Sequence, residues 1–166
     1  TYHGPSFSVF CDPGLFDYTL TNCAKVLTGE ELTYQSPKIT ADDLWYLKSN
    51  YGPREIKKCN RWKIFQEGEA IGDLVGGNLE TISCLAGTTF FPDFQGKILF
   101  IEDATGQNPG AYHRSLTQLS HIGVLDDIVC LIIGKMPSNS KLANYELLKT
   151  IIDDVIPKKT YPILYD

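Results

Sequence analysis

The segment Lys97-Ile98-Leu99-Phe100-Ile101-Glu102-Asp103 constrains the fold most, because four apolar residues in a row turn acidic at a single step. A run of this kind fills a buried parallel strand, which is apolar on both faces. In open α/β sheets the functional loops lie beyond the carboxyl ends of the strands. A carboxylate placed there is partly desolvated and rigidly held, which suits it to orient a base. Glu102 and Asp103 are therefore the leading candidates for chemistry. Position alone leaves open a carboxylate that merely caps the next element.

The sequence beyond the run alternates. Ala111 to Ile122 carries Leu116, Leu119 and Ile122 on one side of a helix, and Ile128 to Gly134 reads as a second apolar strand. Leu142 to Ile156 is a helix stopped by Pro157, and Tyr161 to Tyr165 is a third strand. Three late strands alternating with helices define an α/β layer. Upstream, Trp62 to Phe65 and Ala70 to Val75 read as short strands about a turn at Gly68, and Leu79 to Ala86 as a helix ended by Gly87. Between them, Gly76-Gly77-Asn78 is either a tight turn with Asn78 as N-cap or a loop presenting backbone amides to an anion or substrate carboxylate.

Before Trp62 the pattern is weaker. Leu15 to Leu27 has helical spacing and Gly29 as its stop. Residues 33–61 read mostly as loop, with a short candidate helix after Thr40, and a connection of that length is often a lid or binding loop. The basic cluster Arg54 to Lys58, with Arg61 after it and Glu55 within it, is expected as a solvated face.

At 166 residues one compact domain is expected. A net charge of −5 argues against a nucleic-acid partner, since phosphate binding needs clustered Lys and Arg. No apolar run is long enough for a membrane span. The five cysteines are odd in number and lack C-x-x-C spacing, so neither a disulfide framework nor a zinc site is expected, and reduced thiols in a cytoplasmic protein fit best. No metal and no cofactor is called for. The only histidine bases are His3, His113 and His121. His113 and His121 lie about 80° apart around a helix, unsuited to sharing a metal, and each is expected at the surface, as the cysteines are expected in core or surface rather than as nucleophiles. These residues alone do not assemble a complete nucleophilic site.

Several segments occur in a telling order: Gly72-Asp73-Leu74-Val75-Gly76-Gly77-Asn78-Leu79, then Leu85-Ala86-Gly87-Thr88, then Gly96 to Asp103. His3-Gly4-Pro5, Arg114-Ser115-Leu116-Thr117-Gln118-Leu119 and Ile132-Ile133-Gly134 extend the series over almost the whole chain. The combination resembles the C-terminal half of the LD-carboxypeptidase and microcin-immunity family. The resemblance implies the swivelling β/β/α-type domain of such a protein across residues 1–166, with an N-terminal nucleophile domain preceding it. It also implies a Ser-Glu-His triad in which Glu102 is the glutamate. The serine would lie in the missing domain and the histidine within a few residues after Asp166, so the fragment alone would be inactive.

By position, Asn78, Gly77 and Trp45 would line the substrate site. The long segment before Trp62 is more similar to the microcin-immunity branch, implying hydrolysis of an amide or acyl linkage in peptidyl- or aminoacyl-nucleotide antibiotics. The alternatives are a carboxypeptidase of murein tetrapeptide recycling and, in another class, a non-catalytic binding module on the same scaffold. Gly106 departs from the family, many of whose members carry a charged residue four positions after the glutamate. The expected partners are a small peptide or peptidyl-nucleotide, the N-terminal domain and a second copy in a homodimer.

Overall fold

The computed structural model describes residues 2–43, 47, 53–59, 62–103, 108–158 and 160–165. The chain forms two compact units, residues 1–61 and 62–166.

In the first unit, a 3₁₀ turn (Phe7–Cys11) precedes helix α1 (Asp17–Thr28), which ends at Gly29 in the left-handed conformation that glycine adopts without strain. Strands β1 (Ile39–Thr40) and β2 (Lys57–Lys58) pair antiparallel. Thr40 lies in β1 and residues 41–43 are not helical, while most of the candidate helix expected after it lies outside the described residues. The basic cluster also departs from expectation at Arg54. Its side chain is 13% exposed, Nη1 donates to Asp12 Oδ2, Nε donates to Asp43 Oδ1 at 3.0 Å, and Nη2 donates to the Ala41 carbonyl at 3.3 Å. Burial opposes the guanidinium charge, but the hydrogen bonds to Asp43 and Asp12 outweigh it and hold the Arg54 pKa above its ordinary value.

The second unit is a five-stranded sheet in the order β3-β7-β6-β5-β4. Its strands are β3 (Lys63–Gln66), β4 (Leu74–Asn78), β5 (Ile98–Glu102), β6 (Cys130–Ile133) and β7 (Ile163–Tyr165). β4, β5, β6 and β7 are parallel, while β3 runs antiparallel to β7 at the edge. Helices α2 (Leu79–Leu85), α3 (Pro109–His121), α4 (Val124–Asp127) and α5 (Tyr145–Val155) complete it. The second unit is thus α/β with a parallel-rich sheet, the fold class expected.

Side chains alternate across a strand. Leu99, Ile101, Leu131, Ile133, Ile163 and Tyr165 are buried and share one core with Leu79, Leu116, Leu125, Leu148 and Ile152 of the helices. All four helices therefore pack on one face of the sheet. Ile98, Phe100, Ile132 and Leu164, on the opposite face, are only half-buried. The apolar run of β5 is thus fully buried on one face rather than on both.

Two boundaries differ from the periodicity. Residues 70–73 lie outside β4, which instead runs through Gly76-Gly77-Asn78. The strand reaches that far because a Cβ on Gly76 would collide with the Phe100 carbonyl of β5, so glycine permits the close pairing. Leu142 sits in a separate 3₁₀ turn (Lys141–Ala143), and α5 starts only after Asn144, whose side chain accepts from the Glu146 and Leu147 amides.

Candidate active site at the carboxyl edge of the sheet

Because four strands are parallel, their carboxyl ends share one edge. Gly77, Ile101, Ile133 and Tyr165 form a register row across β4, β5, β6 and β7, and Asn78 pairs with Glu102 in the next row. At about 4.8 Å per strand, the end of β7 lies roughly 10 Å from the end of β5, with β6 between. Glu102 closes β5 on the less covered face, shared with Phe100, and is half-buried.

Asp103, its neighbour, takes the other face. It is 5% exposed, and its charge acts on the fully buried Tyr112 of α3. Burial is the main cause that pushes the Tyr112 phenol far above its ordinary pKa, and the negative charge of Asp103 adds to it. The two adjacent carboxylates are thus divided: Asp103 faces the helix-covered core, and Glu102 lies on the less covered face.

Asn78 lies beside Glu102 and caps α2, its Oδ1 accepting from the Thr81 amide and hydroxyl, each at 3.0 Å. The oxygen is committed to the cap, so the NH2 end is what Asn78 can offer a ligand. Gly77 is buried, with φ 151°. Trp45 lies outside the described residues, as does Gly106.

The remaining sequence candidates are placed elsewhere. His113 Nε2 meets Asp154 Oδ2 of α5 at 2.8 Å, and His121 is exposed. None of the five cysteines is in a disulfide, Cys130 alone is buried, and burial raises its thiol pKa. Among the described residues no group of three or more His, Cys, Asp or Glu is placed to hold a metal, and no helix is long and apolar enough to cross a membrane. A cavity of about 960 Å³ lies within the first unit, lined by Phe16, Ile39, Asp42 and Arg54 among others, and a smaller groove of about 310 Å³ follows α3. Neither is lined by Glu102.

One residue with no role expected from its sequence stands against the Cβ of Glu102. Gly134 directly follows β6, and a Cβ built on it would lie 3.2 Å from the Glu102 Cβ. Its signal in the sequence was a glycine at the end of an apolar strand.

The fold and the order of these residues match the LD-carboxypeptidase C-terminal domain over residues 71–166. The chain belongs to the LD-carboxypeptidase family. A provisionally named carboxypeptidase of Bacillus subtilis, YocD, is 31% identical over 99% of this chain and 50% of its own length. The microcin C7 self-immunity protein MccF of Escherichia coli is 29% identical over 99% of the chain and 49% of its own length. This LD-carboxypeptidase chain thus spans about half the length of the curated relatives it matches. Among solved structures, an MccF-like protein from Bacillus anthracis superposes with a TM-score of 0.87 at 26% identity, over 98% of this chain and 50% of that one. MccF in complex with glutamyl sulfamoyl guanosine superposes with a TM-score of 0.79 at 29% identity, over the same shares.

Proposed function

We propose that this chain is the C-terminal part of a serine-type carboxypeptidase in which Glu102 orients the histidine of a Ser-Glu-His triad. The place of Glu102 carries the reading. It stands at the carboxyl end of a central parallel strand, turned away from the helix-covered core, on the edge where β7 also ends. A histidine shortly after β7 has to reach across β6 alone to meet it.

Serine is a weak nucleophile until a histidine takes its proton, and a carboxylate must hold the imidazole tautomer and stabilise its charged form. In this reading the serine and the histidine are supplied outside this chain. The serine oxygen attacks the scissile carbonyl, its proton passes to the imidazole and then to the leaving group, and water releases the acyl enzyme by the same relay. Asn78 offers its NH2 to the substrate beside the reacting carbonyl, with Gly77 below it, and Trp45 is assigned to the substrate mouth.

The favoured substrate is an aminoacyl- or peptidyl-nucleotide, supported by the likeness to MccF over nearly the whole chain, including a structure named for a glutamyl sulfamoyl guanosine complex. A homodimer in the cytoplasm belongs to the same proposal. The test is hydrolysis by the full-length protein of an aminoacyl sulfamoyl adenylate and, separately, of a murein tetrapeptide. Turnover of the nucleotide substrate is expected, with Glu102→Gln lowering kcat on the order of 10⁴-fold. Turnover of the murein peptide alone reassigns the substrate to cell-wall recycling. Absence of both leaves a binding module and overturns the enzyme.

A further inference from the structure

We propose that Gly134 is a positioning residue for Glu102, and that its lack of a side chain is a requirement of the site rather than of the backbone. The proposal rests on the reading of Glu102 as the orienting carboxylate. Glycine is usually demanded by a positive φ or by close approach. Gly134 is not among the positive-φ glycines of this chain, so conformation gives no reason for it. Close approach does. A Cβ there would lie 3.2 Å from the Glu102 Cβ, 3.3 Å from Phe100 Cε2 and 3.5 Å from the Ile101 carbonyl oxygen.

These contacts have a direction. Phe100 and Glu102 are alternate residues on one face of β5, and the Gly134 position sits in the notch between their side chains. The Gly134 amide donates to the Ile101 carbonyl at 2.8 Å, which pins the backbone, so an added Cβ cannot swing away from β5. The stem of Glu102 and the Phe100 ring must give instead, each by a few tenths of an ångström. Gly134 also follows β6, the strand lying between β5 and β7. Without a side chain there, the strip over which a carboxylate on β5 meets an imidazole supplied after β7 stays open.

The effect of filling the notch follows from triad chemistry. A carboxylate beside an imidazole favours its charged form and raises its pKa. Displacing Glu102 weakens that support, so the histidine pKa falls and the acid limb of kcat/KM against pH moves to lower pH. Small misplacements of catalytic groups also cost rate, up to about 100-fold per ångström.

The experiment compares Gly134→Ala, Glu102→Gln and the double variant Phe100→Leu/Gly134→Ala in the full-length protein. Each is measured for kcat, KM, the pH profile and the thermal midpoint. Gly134→Ala is expected to lower kcat about tenfold with KM little changed, and to move the acid limb down. The double variant relieves pressure on the Phe100 ring but not on Glu102, so stability recovers while the kcat defect persists. An impaired Glu102→Gln beside a Gly134→Ala of wild-type kcat and pH profile overturns the role of Gly134 alone, as does recovery of kcat together with stability in the double variant. A Glu102→Gln without effect overturns the triad reading, and this proposal with it.

Discussion

The two units of the chain solve burial in opposite ways. In residues 62–166 a continuous apolar core joins the sheet to α2, α3, α4 and α5, with Leu99, Ile101, Leu116, Leu131 and Ile152 wholly inaccessible to solvent. In the first unit the only buried residue among those described is Asp12, a carboxylate. Its charge is met by Arg54, which also holds Asp43 and so connects segments forty-two and eleven residues apart. Apolar burial is favourable in itself, whereas a buried charge costs solvation that its partner must offset. The second unit is therefore the stable frame on which the edge carrying Glu102 is held, and in the first a charged network around Arg54 takes the place of an apolar core.

The largest expected effect lies in the frame. Leu131→Ala empties a fully buried position in the central strand β6 and should destabilise the chain by about 3 kcal/mol, read as a lower denaturant midpoint. Arg54→Met removes the guanidinium from between Asp12 and Asp43, at an expected cost of about 2 kcal/mol. The loss should stay local. Hydrogen exchange is expected to quicken in α1 while β5 and β6 keep their protection, and equal loss in both units would break the contrast.

A smaller effect, of opposite sign, is expected at Tyr112. Its hydroxyl is fully buried without a hydrogen-bond partner among the described residues, so Tyr112→Phe removes an unsatisfied group and should stabilise the chain by about 1 kcal/mol. The phenol pKa is raised in the folded state, by burial first and Asp103 second. The unfolded chain therefore loses this proton near pH 10 while the folded chain keeps it, and stability falls as pH rises above about 10. Tyr161, raised mainly by burial, acts in the same direction. Thermal midpoints measured from neutral to alkaline pH should show the decline, and Tyr112→Phe should make it shallower.

The contrast also explains what could be read from the sequence. Helix α3 and strands β5, β6 and β7 were legible because their apolar residues recur at the period of their own element, and Glu102 stands out as a candidate because it ends such a run. Arg54 was misread as solvated because its partners, Asp12 and Asp43, are distant in sequence and no local pattern records the pairing. The strand character of Gly76-Gly77-Asn78 was hidden for a related reason. Glycines read locally as a turn, and only the neighbouring β5 shows that they allow close pairing. Leu142 fitted the period of α5, but Asn144 restarts the helix after it. The separation of Glu102 from Asp103 onto opposite faces follows from strand alternation, but which face is open depended on where the helices pack.

The orienting role of Glu102 is tested most directly by a crystal structure of the full-length protein. The account predicts an imidazole from the segment just after β7, its Nδ1 about 2.8 Å from the Glu102 carboxylate and its Nε2 toward a serine. A Glu102 open to solvent with no imidazole beside it, or an imidazole held by Asp103 instead, would contradict the account.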